Sequence, residues 1–225
     1  MDASKPTTIV IFGATGNLAQ KKLIPALYHL FKGGLLPQDF TIVCIARDPN
    51  TSLELIVEKA EIALLHQEHD ADEHVLQDLM SHMRLHIMDS TNQDDFHHLR
   101  EVLDGIDSEK NIAHNRLFYL AIPPAIFFTV ISCLGNAGLN NEDNGISSRI
   151  LVEKPFGTDL QSAKQLVDHI NLFFGEHQVY RIDHYLAKET AQNLLAFRYN
   201  NPLVEDLWGR QFIDHIQITA ARSEE

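Results

Sequence analysis

The segment from Arg181 to Glu189 holds the densest set of side chains that could do chemistry. It reads RIDHYLAKE and combines cationic groups, a phenol and a carboxylate. His184 and Lys188 are four positions apart, so on a helix they would share one face and could clamp an anion such as phosphate. Asp183 could orient an imidazole from elsewhere, as carboxylates do in acid–base pairs. The alternative is a polar helix start with no chemical role.

A turn of small residues follows the first apolar run of the chain. Residues 13–19 read GATGNLA. Glycines at Gly13 and Gly16 would let the backbone approach a pyrophosphate, and the helix start behind them would present free N–H groups. The spacing is G-x-x-G-x-x-A and not G-x-G-x-x-G, so an ordinary tight turn remains the alternative.

The end of the second apolar run bears on the choice of coenzyme. A dinucleotide site that prefers NAD usually has an acidic residue here, which binds the ribose 2′-hydroxyl. This chain has Ala46 and then Arg47, and a guanidinium suits a 2′-phosphate by charge and shape. The sequence therefore favours NADP, although Asp48 keeps NAD open. A solvated loop charge is the alternative for Arg47.

A lysine follows the fifth apolar run, within the sequence EKPFG at residues 153–157. Ligands of open α/β sheets bind beyond the carboxyl ends of the strands, so Lys154 would reach the crevice and hold a substrate hydroxyl or a coenzyme oxygen. Several families of nicotinamide-dependent oxidoreductases share Glu-Lys-Pro at this point. The motif therefore supports a class and not a substrate, and an exposed lysine without function is the alternative.

Strands and helices alternate through the first 182 residues. Buried strands are expected where short β-branched apolar runs occur, and helices where apolar residues recur at helical spacing. Leu117 to Leu139 lacks formal charges, but Pro123-Pro124 divides it, so we expect a strand, a turn and a buried helix there and no membrane span. The pattern predicts an α/β fold with a Rossmann-like, doubly wound, mostly parallel sheet. The expected strands are 7–12, 41–46, 85–88, 117–122, 149–152 and 178–182; the main expected helices are 18–31, with a kink or second start at Pro25, 53–66, 72–83, 94–103, 124–134 and 159–174.

The regular alternation of buried strands and helices ends after Ile182. A helix is expected at 188–197, and residues 212–220 alternate as in a half-buried antiparallel strand. We therefore expect an NADP-binding domain at 1–183 and, at 184–225, the incomplete start of an α+β substrate domain, too small for its own core. An apolar strand without partners would favour self-association.

Composition narrows the classes of protein. The 225 residues have a formal net charge of −13, which argues against nucleic acid as a partner. Cys44 and Cys133 lie in apolar runs, so we expect reduced, buried thiols and a cytoplasmic protein. Seven histidines fall between His66 and His98, but no HExxH or Cys/His set accompanies them, so we expect a solvated helical region and no metal.

Several motifs together resemble one family. The segments GATGNLAQKKLIPALYHLF, LFYLAIPP, ILVEKPFGTDLQSA and RIDHYL occur in the order found in glucose-6-phosphate dehydrogenases. The resemblance runs from about Thr8 to Ala220, and RIDHYL is highly specific. It implies a Rossmann-like coenzyme domain followed by an α+β domain that forms the substrate site.

The resemblance also implies roles for residues. A histidine of the family removes the C1-hydroxyl proton of glucose 6-phosphate while hydride passes to C4 of the nicotinamide, which yields 6-phosphogluconolactone for the pentose phosphate pathway. Asp183 would orient that histidine, and Lys154 would contact both coenzyme and sugar. The 6-phosphate would be held by His184, Tyr185 and Lys188; NADP would be bound by Gly13, Thr15, Gly16, Asn17, Leu18 and Arg47.

The chain departs from the family pattern in a few places. Asn17 stands where the family usually has Asp, and Ala187 where it has Gly. The Gln-Asn-His motif that carries the catalytic histidine does not occur in these 225 residues, and Arg222 stands where relatives carry a substrate-binding Glu. We therefore expect a chain truncated before the catalytic histidine. The alternatives are a non-catalytic NADP-binding remnant or interaction module, and another NADP-dependent sugar oxidoreductase, which should lack RIDHYL.

Overall fold

The computed structural model describes residues 5–67, 71–154, 156–157, 159–183, 189–217 and 219. The chain divides into two compact units, Met1–Ile182 and Asp183–Glu225. Each unit is described by itself below.

A six-stranded parallel sheet forms the centre of the first unit. Short runs rich in Val, Ile and Thr become its inner strands, because β-branched side chains pack well on a pleated surface. The strand order is β3-β2-β1-β4-β5-β6, and every neighbouring pair is parallel. This order is the one found in doubly wound dinucleotide-binding folds. The strands are β1 (Thr7–Phe12), β2 (Phe40–Ala46), β3 (Met83–Ile87), β4 (Asn115–Leu120), β5 (Ser148–Glu153) and β6 (Val179–Ile182).

Helices connect the strands. The link from β1 to β2 begins with a π-helical stretch, Ala19–Leu23, and continues as an α-helix from Ile24. Pro25 lies in the first turn of that α-helix, where its missing N–H costs nothing, so the second start expected at this proline is confirmed. The α-helices of this unit are α1 (Ile24–Lys32), α2 (Leu53–Gln67), α3 (Glu73–Ser81), α4 (Gln93–Lys110), α5 (Phe127–Asn136) and α6 (Leu160–Asn171).

The sheet is covered on both faces, because successive residues of each strand point to opposite sides. Ile9 and Ile11 of β1 pack in one cluster with residues of α1, α2 and α3. Val10 and Phe12 pack in a second cluster with residues of α4, α5 and α6. The doubly wound, Rossmann-like fold predicted from the sequence is thus confirmed.

Local signals set several helix starts. Asp159 accepts a hydrogen bond from the N–H of Ser162, whose hydroxyl accepts one from the N–H of Asp159, so the two residues form a capping box ahead of α6. Asp72 and Asn92 cap α3 and α4 in the simpler way, by accepting from backbone N–H groups one or two residues into the helix.

The uncharged stretch from Leu117 to Leu139 contains the strand, turn and buried helix that the sequence predicts. Across the part of the chain that the structure describes, no helix has both the length and the apolar character needed to cross a bilayer.

The histidine-rich region is only partly solvated, which corrects the expectation. His82 is half-buried and stacks on Phe40, with ring centroids 4.4 Å apart. His86 lies on β3, within the strand predicted at 85–88, and its Nε2 atom is buried without a hydrogen-bond partner among the described residues. The His82 ring packs against an aromatic side chain and the His86 ring lies on the sheet, because an imidazole ring has apolar faces that can be buried.

The described residues of the second unit form two short helices, α7 (Glu189–Tyr199) and α8 (Pro202–Glu205). The strand predicted at 212–220 is wrong: residues 212–217 and 219 form neither strand nor helix. Phe212 is 65% exposed and Ile216 is 71% exposed. An alternating pattern becomes a strand only when another strand pairs with it, and no strand occurs in the described part of this unit.

Candidate functional site

A crevice of about 440 Å³ opens at the carboxyl ends of four adjacent strands, β3, β2, β1 and β4. It lies where the strand order changes direction, between β1 and β4, and such switch points are where open α/β sheets bind ligands. The turn after β1, the ends of β2 and β3 and the segment after β4 each contribute residues. The lining comprises Gly13, Thr15, Ile45, Ala46, Arg47, Asp48, Asp89, Ser90, Thr91, Ile122, Pro123 and Ile126.

Glycine is required in the turn after β1. Gly13 has φ +80°, a region that L side chains rarely adopt. A Cβ at Gly13 would also lie 2.4 Å from the carbonyl oxygen of Ala121, so nothing larger than hydrogen fits there. The N–H of Gly16 donates to the carbonyl of Gly13 at 2.9 Å, which closes the turn, and the N–H of Ala14 donates to the carbonyl of Ile45 at 3.1 Å, which fixes it to β2.

The chain turns helical directly behind this glycine turn. Asn17 is exposed and Leu18 is half-buried, and the N–H of Gln20 donates back to the carbonyl of Gly16 at 3.1 Å. The first backbone N–H groups of a helix have no partner within it and carry partial positive charge, which suits a phosphate. The π-helical stretch that follows is of a kind often found at functional sites.

Arg47 lies at the exit of β2 with its side chain exposed to the crevice. Within the described residues, no carboxylate lies within 4 Å of its guanidinium, so the cation is available to an incoming anion. Asp48, the next residue, accepts hydrogen bonds at Oδ1 from the N–H and the side-chain amide of Asn50, at 2.9 and 3.0 Å. The structure therefore brings Gly13, Thr15 and Arg47 to one crevice, as the sequence predicts.

Two groups of lining residues were missed in the sequence. The first is the polar turn after β3, where Asp89 accepts hydrogen bonds from the N–H and the hydroxyl of Thr91. These bonds favour the charged form and lower the pKa of Asp89, with smaller help from the charge of Arg47. The available signal was position: Asp89 comes directly after a predicted strand.

The second missed group is apolar. Ile122, Pro123 and Ile126 follow β4, and they line the crevice together with Ile45. Flat apolar walls with a few polar groups at the rim are typical of sites that bind a planar ring. The available signal was again position, because Ile122 ends the strand predicted at 117–122 and the other two residues follow it.

Lys154 follows β5, is exposed, and does not line this crevice. The residue before it, Glu153, is buried and hydrogen-bonded. Glu153 is 7% exposed and accepts a hydrogen bond from the hydroxyl of Tyr119, which is 8% exposed. Burial, together with this bond, raises the pKa of Tyr119 well above its usual range. The pair ties the carboxyl end of β5 to β4 and so constrains the backbone that carries Lys154.

The remaining predicted residues belong to the second unit or lie outside the described residues. Asp183 is half-buried and follows β6 in the sequence. His184, Tyr185 and Lys188 lie outside the described residues. Among the residues that are described, no group of three or more His, Cys, Asp and Glu side chains could hold a metal ion.

Most of the chain matches the model of one protein family. The model of the family "Glucose-6-phosphate dehydrogenase, NAD binding domain" matches residues 10–193. The glucose-6-phosphate 1-dehydrogenase of Aggregatibacter actinomycetemcomitans is 43% identical over 215 residues, which cover 96% of this chain and 43% of that protein. The corresponding protein of Bacillus subtilis is 39% identical over 217 residues, which cover 96% and 42%. The chain thus spans less than half the length of these relatives.

Solved structures agree with this placement. A structure of glucose-6-phosphate dehydrogenase in complex with its substrate glucose-6-phosphate superposes with a TM-score of 0.82 at 35% identity, over 92% of this chain and 42% of that one. A glucose-6-phosphate 1-dehydrogenase from Mycobacterium avium superposes with a TM-score of 0.73 at 30% identity, again over 92% and 42%.

Proposed function

Since this chain belongs to the glucose-6-phosphate dehydrogenase family, we propose that it serves the NADP-dependent oxidation of glucose 6-phosphate to 6-phosphogluconolactone, a step of the pentose phosphate pathway. One observation carries the proposal: a glycine turn and an exposed arginine, Gly13 and Arg47, line one crevice at the switch point of a Rossmann-like sheet. Residues 1–183 form the coenzyme domain in this proposal, and residues 184–225 belong to the substrate domain.

The residues of the crevice fit NADP. The backbone of the turn at Gly13 to Gly16 would bind the pyrophosphate, with Thr15 in the turn and with Asn17 and Leu18 at the helix start behind it. Arg47 would bind the 2′-phosphate through paired, charge-assisted hydrogen bonds. The apolar residues after β4 offer a surface for a ring.

The substrate roles rest on the family resemblance alone. Lys154 would contact both coenzyme and sugar, and Asp183 would orient the histidine that removes the C1-hydroxyl proton. His184, Tyr185 and Lys188 would hold the 6-phosphate, for which a cluster of cationic and hydroxyl donors is well suited. The bound coenzyme would supply C4 of its nicotinamide as the hydride acceptor.

Two further properties belong to the proposal. Cys44 and Cys133 are free and buried, which suits a reducing compartment, so we place the protein in the cytoplasm. We also keep self-association as a proposal. Apolar side chains of the second unit that are more than half exposed support it: Leu194, Phe197, Phe212 and Ile216. The unpaired strand expected at 212–220 does not support it, because that strand does not form.

Titration with coenzyme tests the first part of the proposal. The purified chain should bind NADP⁺ more tightly than NAD⁺. An Arg47→Ala variant should lose about 1.5–3 kcal/mol of binding free energy for NADP⁺, because charge-assisted hydrogen bonds to the 2′-phosphate disappear, and almost none for NAD⁺. Equal losses for both coenzymes would remove Arg47 from the 2′-phosphate site.

Substrate binding is tested separately. Glucose 6-phosphate and glucose are titrated into the chain saturated with NADP⁺. Lys188→Ala should weaken binding of the phosphorylated sugar and leave the weak binding of glucose unchanged, since the lysine addresses only the phosphate. A matched loss for both sugars would contradict a phosphate site at this segment.

A further inference from the structure

A carboxylate shares the exit of β2 and β3 with Arg47. Ala46 and Ile87 are paired in the parallel ladder, and the N–H of Met88 donates to the carbonyl of Ala46 at 2.9 Å. The two chains therefore still run side by side as they leave the sheet. Arg47 and Asp89 both line the crevice beyond this point.

Hydrogen bonds hold Asp89 in place. Its N–H donates to Oδ2 of Asp95 at 2.7 Å, and its own Oδ1 accepts from the N–H of Thr91 at 2.9 Å and from the Thr91 hydroxyl at 2.7 Å. The other carboxylate oxygen, Oδ2, accepts no hydrogen bond from the described residues. Bonds from Thr91 keep the pKa of Asp89 low, so the group is a fixed negative charge at neutral pH.

A fixed negative charge beside Arg47 acts against a second negative group. Neighbouring strands lie about 4.8 Å apart, so a phosphate bound to Arg47 would lie well within a Debye length of Asp89 at low salt. Asp89 is exposed, so the repulsion is screened and modest. NAD lacks the 2′-phosphate and would not be repelled; its 2′-hydroxyl is a donor that a carboxylate tolerates.

We propose that Asp89 is a second residue that sets coenzyme selectivity, and that it reduces the preference for NADP that Arg47 creates. The inference rests on the coenzyme site proposed above and adds a determinant to it. Asp48 also lines the crevice, and its Oδ1 likewise accepts two hydrogen bonds from its own turn, so its negative charge adds to that of Asp89.

The test is an Asp89→Asn variant, titrated calorimetrically with NADP⁺ and with NAD⁺. Asparagine keeps the oxygen that accepts from Thr91, so the turn is preserved while the charge is removed. We expect the Kd for NADP⁺ to fall about two- to fivefold at low salt, the size of a screened charge pair, and the Kd for NAD⁺ to stay unchanged. The gain should shrink at about 0.5 M salt, where the Debye length is only a few ångströms.

Asp168→Asn is the matched control, because it removes the same charge from an exposed position on α6. It should leave the ratio of the two Kd values unchanged. Asp89→Ser, which also keeps an acceptor for Thr91, serves if the asparagine variant does not fold. An unchanged ratio in both Asp89 variants, or an equal shift in the control, overturns the inference. A wild-type chain that binds neither coenzyme instead removes the proposed function on which it rests.

Discussion

A Cβ atom on Gly13 would lie 2.4 Å from the carbonyl oxygen of Ala121. The two residues follow β1 and β4, the adjacent strands at which the sheet changes its direction of growth. The backbone of the glycine turn thus packs directly against the exit of β4. This contact fixes the position of the glycine turn, whose first residue lines the crevice.

The first prediction concerns this contact. Gly13→Ala should destabilise the protein by about 2–4 kcal/mol, because it adds an overlap with backbone to the strain of a positive φ. It should also weaken NADP⁺ binding, since the turn must shift to relieve the overlap. Urea unfolding followed by circular dichroism measures the first effect, and calorimetric titration measures the second.

Gly34→Ala is the control for that prediction. Gly34 has φ +64°, but a Cβ there would meet nothing within 4 Å. The Gly34→Ala substitution should lower the free energy of unfolding by only about 1–2 kcal/mol, because it adds the strain of the left-handed region without a clash. It should not alter coenzyme binding. Equal stability losses in the two variants would show that the Ala121 contact contributes nothing.

The second prediction compares two ion pairs near the end of α4. Arg116 and Asp107 form a bridge of 2.6 Å, with side chains 8% and 18% exposed. Asp107→Ala should cost about 3–5 kcal/mol, because it leaves a buried guanidinium without its counter-charge. Chemical denaturation of the variant measures this loss.

The exposed pair of Arg84 and Glu109 provides the comparison, with side chains 44% and 59% exposed. Glu109→Ala should cost at most about 1 kcal/mol, since solvent screens this pair and hydrates the remaining arginine. Losses of similar size at Asp107 and Glu109 would show that burial does not govern the first pair.

The third prediction concerns pH and a buried histidine. The side chain of His114 is fully buried; its Nδ1 lies 2.8 Å from the hydroxyl of Thr8, and its Nε2 has no hydrogen-bond partner among the described residues. Burial lowers the pKa of His114, and the positive charges nearby act in the same direction, against the carboxylates. The charged groups around the ring are Asp39, Asp107, Lys110 and Arg116.

Because the folded state holds His114 neutral, the unfolded chain binds a proton more readily. The stability associated with this residue is therefore fully present above the unfolded pKa of about 6.5, and it is lost as the pH falls from there toward the lower folded pKa. Burial also lowers the pKa of His86, so His86 adds to the loss of stability with falling pH. The free energy of unfolding, measured between about pH 7.5 and pH 5, should decrease with falling pH.

His114→Gln should flatten that decrease, because glutamine takes up no proton in this range. It also loses packing, so the informative quantity is the slope against pH and not the stability at one pH. His74→Gln changes an exposed histidine on α3 and should leave the slope as in the wild type. A slope unaffected by His114→Gln would exclude this residue as its source.

Much of the fold follows from local sequence patterns. The strand predicted at Thr7–Phe12 has those bounds, because a short β-branched run ended by a glycine allows few other structures. The glycine turn and Arg47 were also found in the sequence, since each follows a recognisable strand. The Asp89 turn and the apolar residues after β4 were not, because only the strand order brings four strand ends together around one crevice.

The sequence by itself indicated the elements of the first unit and the two residues most typical of a coenzyme site, because apolar runs and glycine turns are local signals. The parallel arrangement was predicted from the alternation of strands and helices along the chain. Tertiary structure alone decided which side chains meet. It placed Asp89 beside Arg47 and buried His114 among charges, and it left 212–217 without a strand. The physical reason is the same in each case: strand pairing, burial and electrostatic neighbours join residues distant in the chain, and an alternating or charged pattern does not specify its partner.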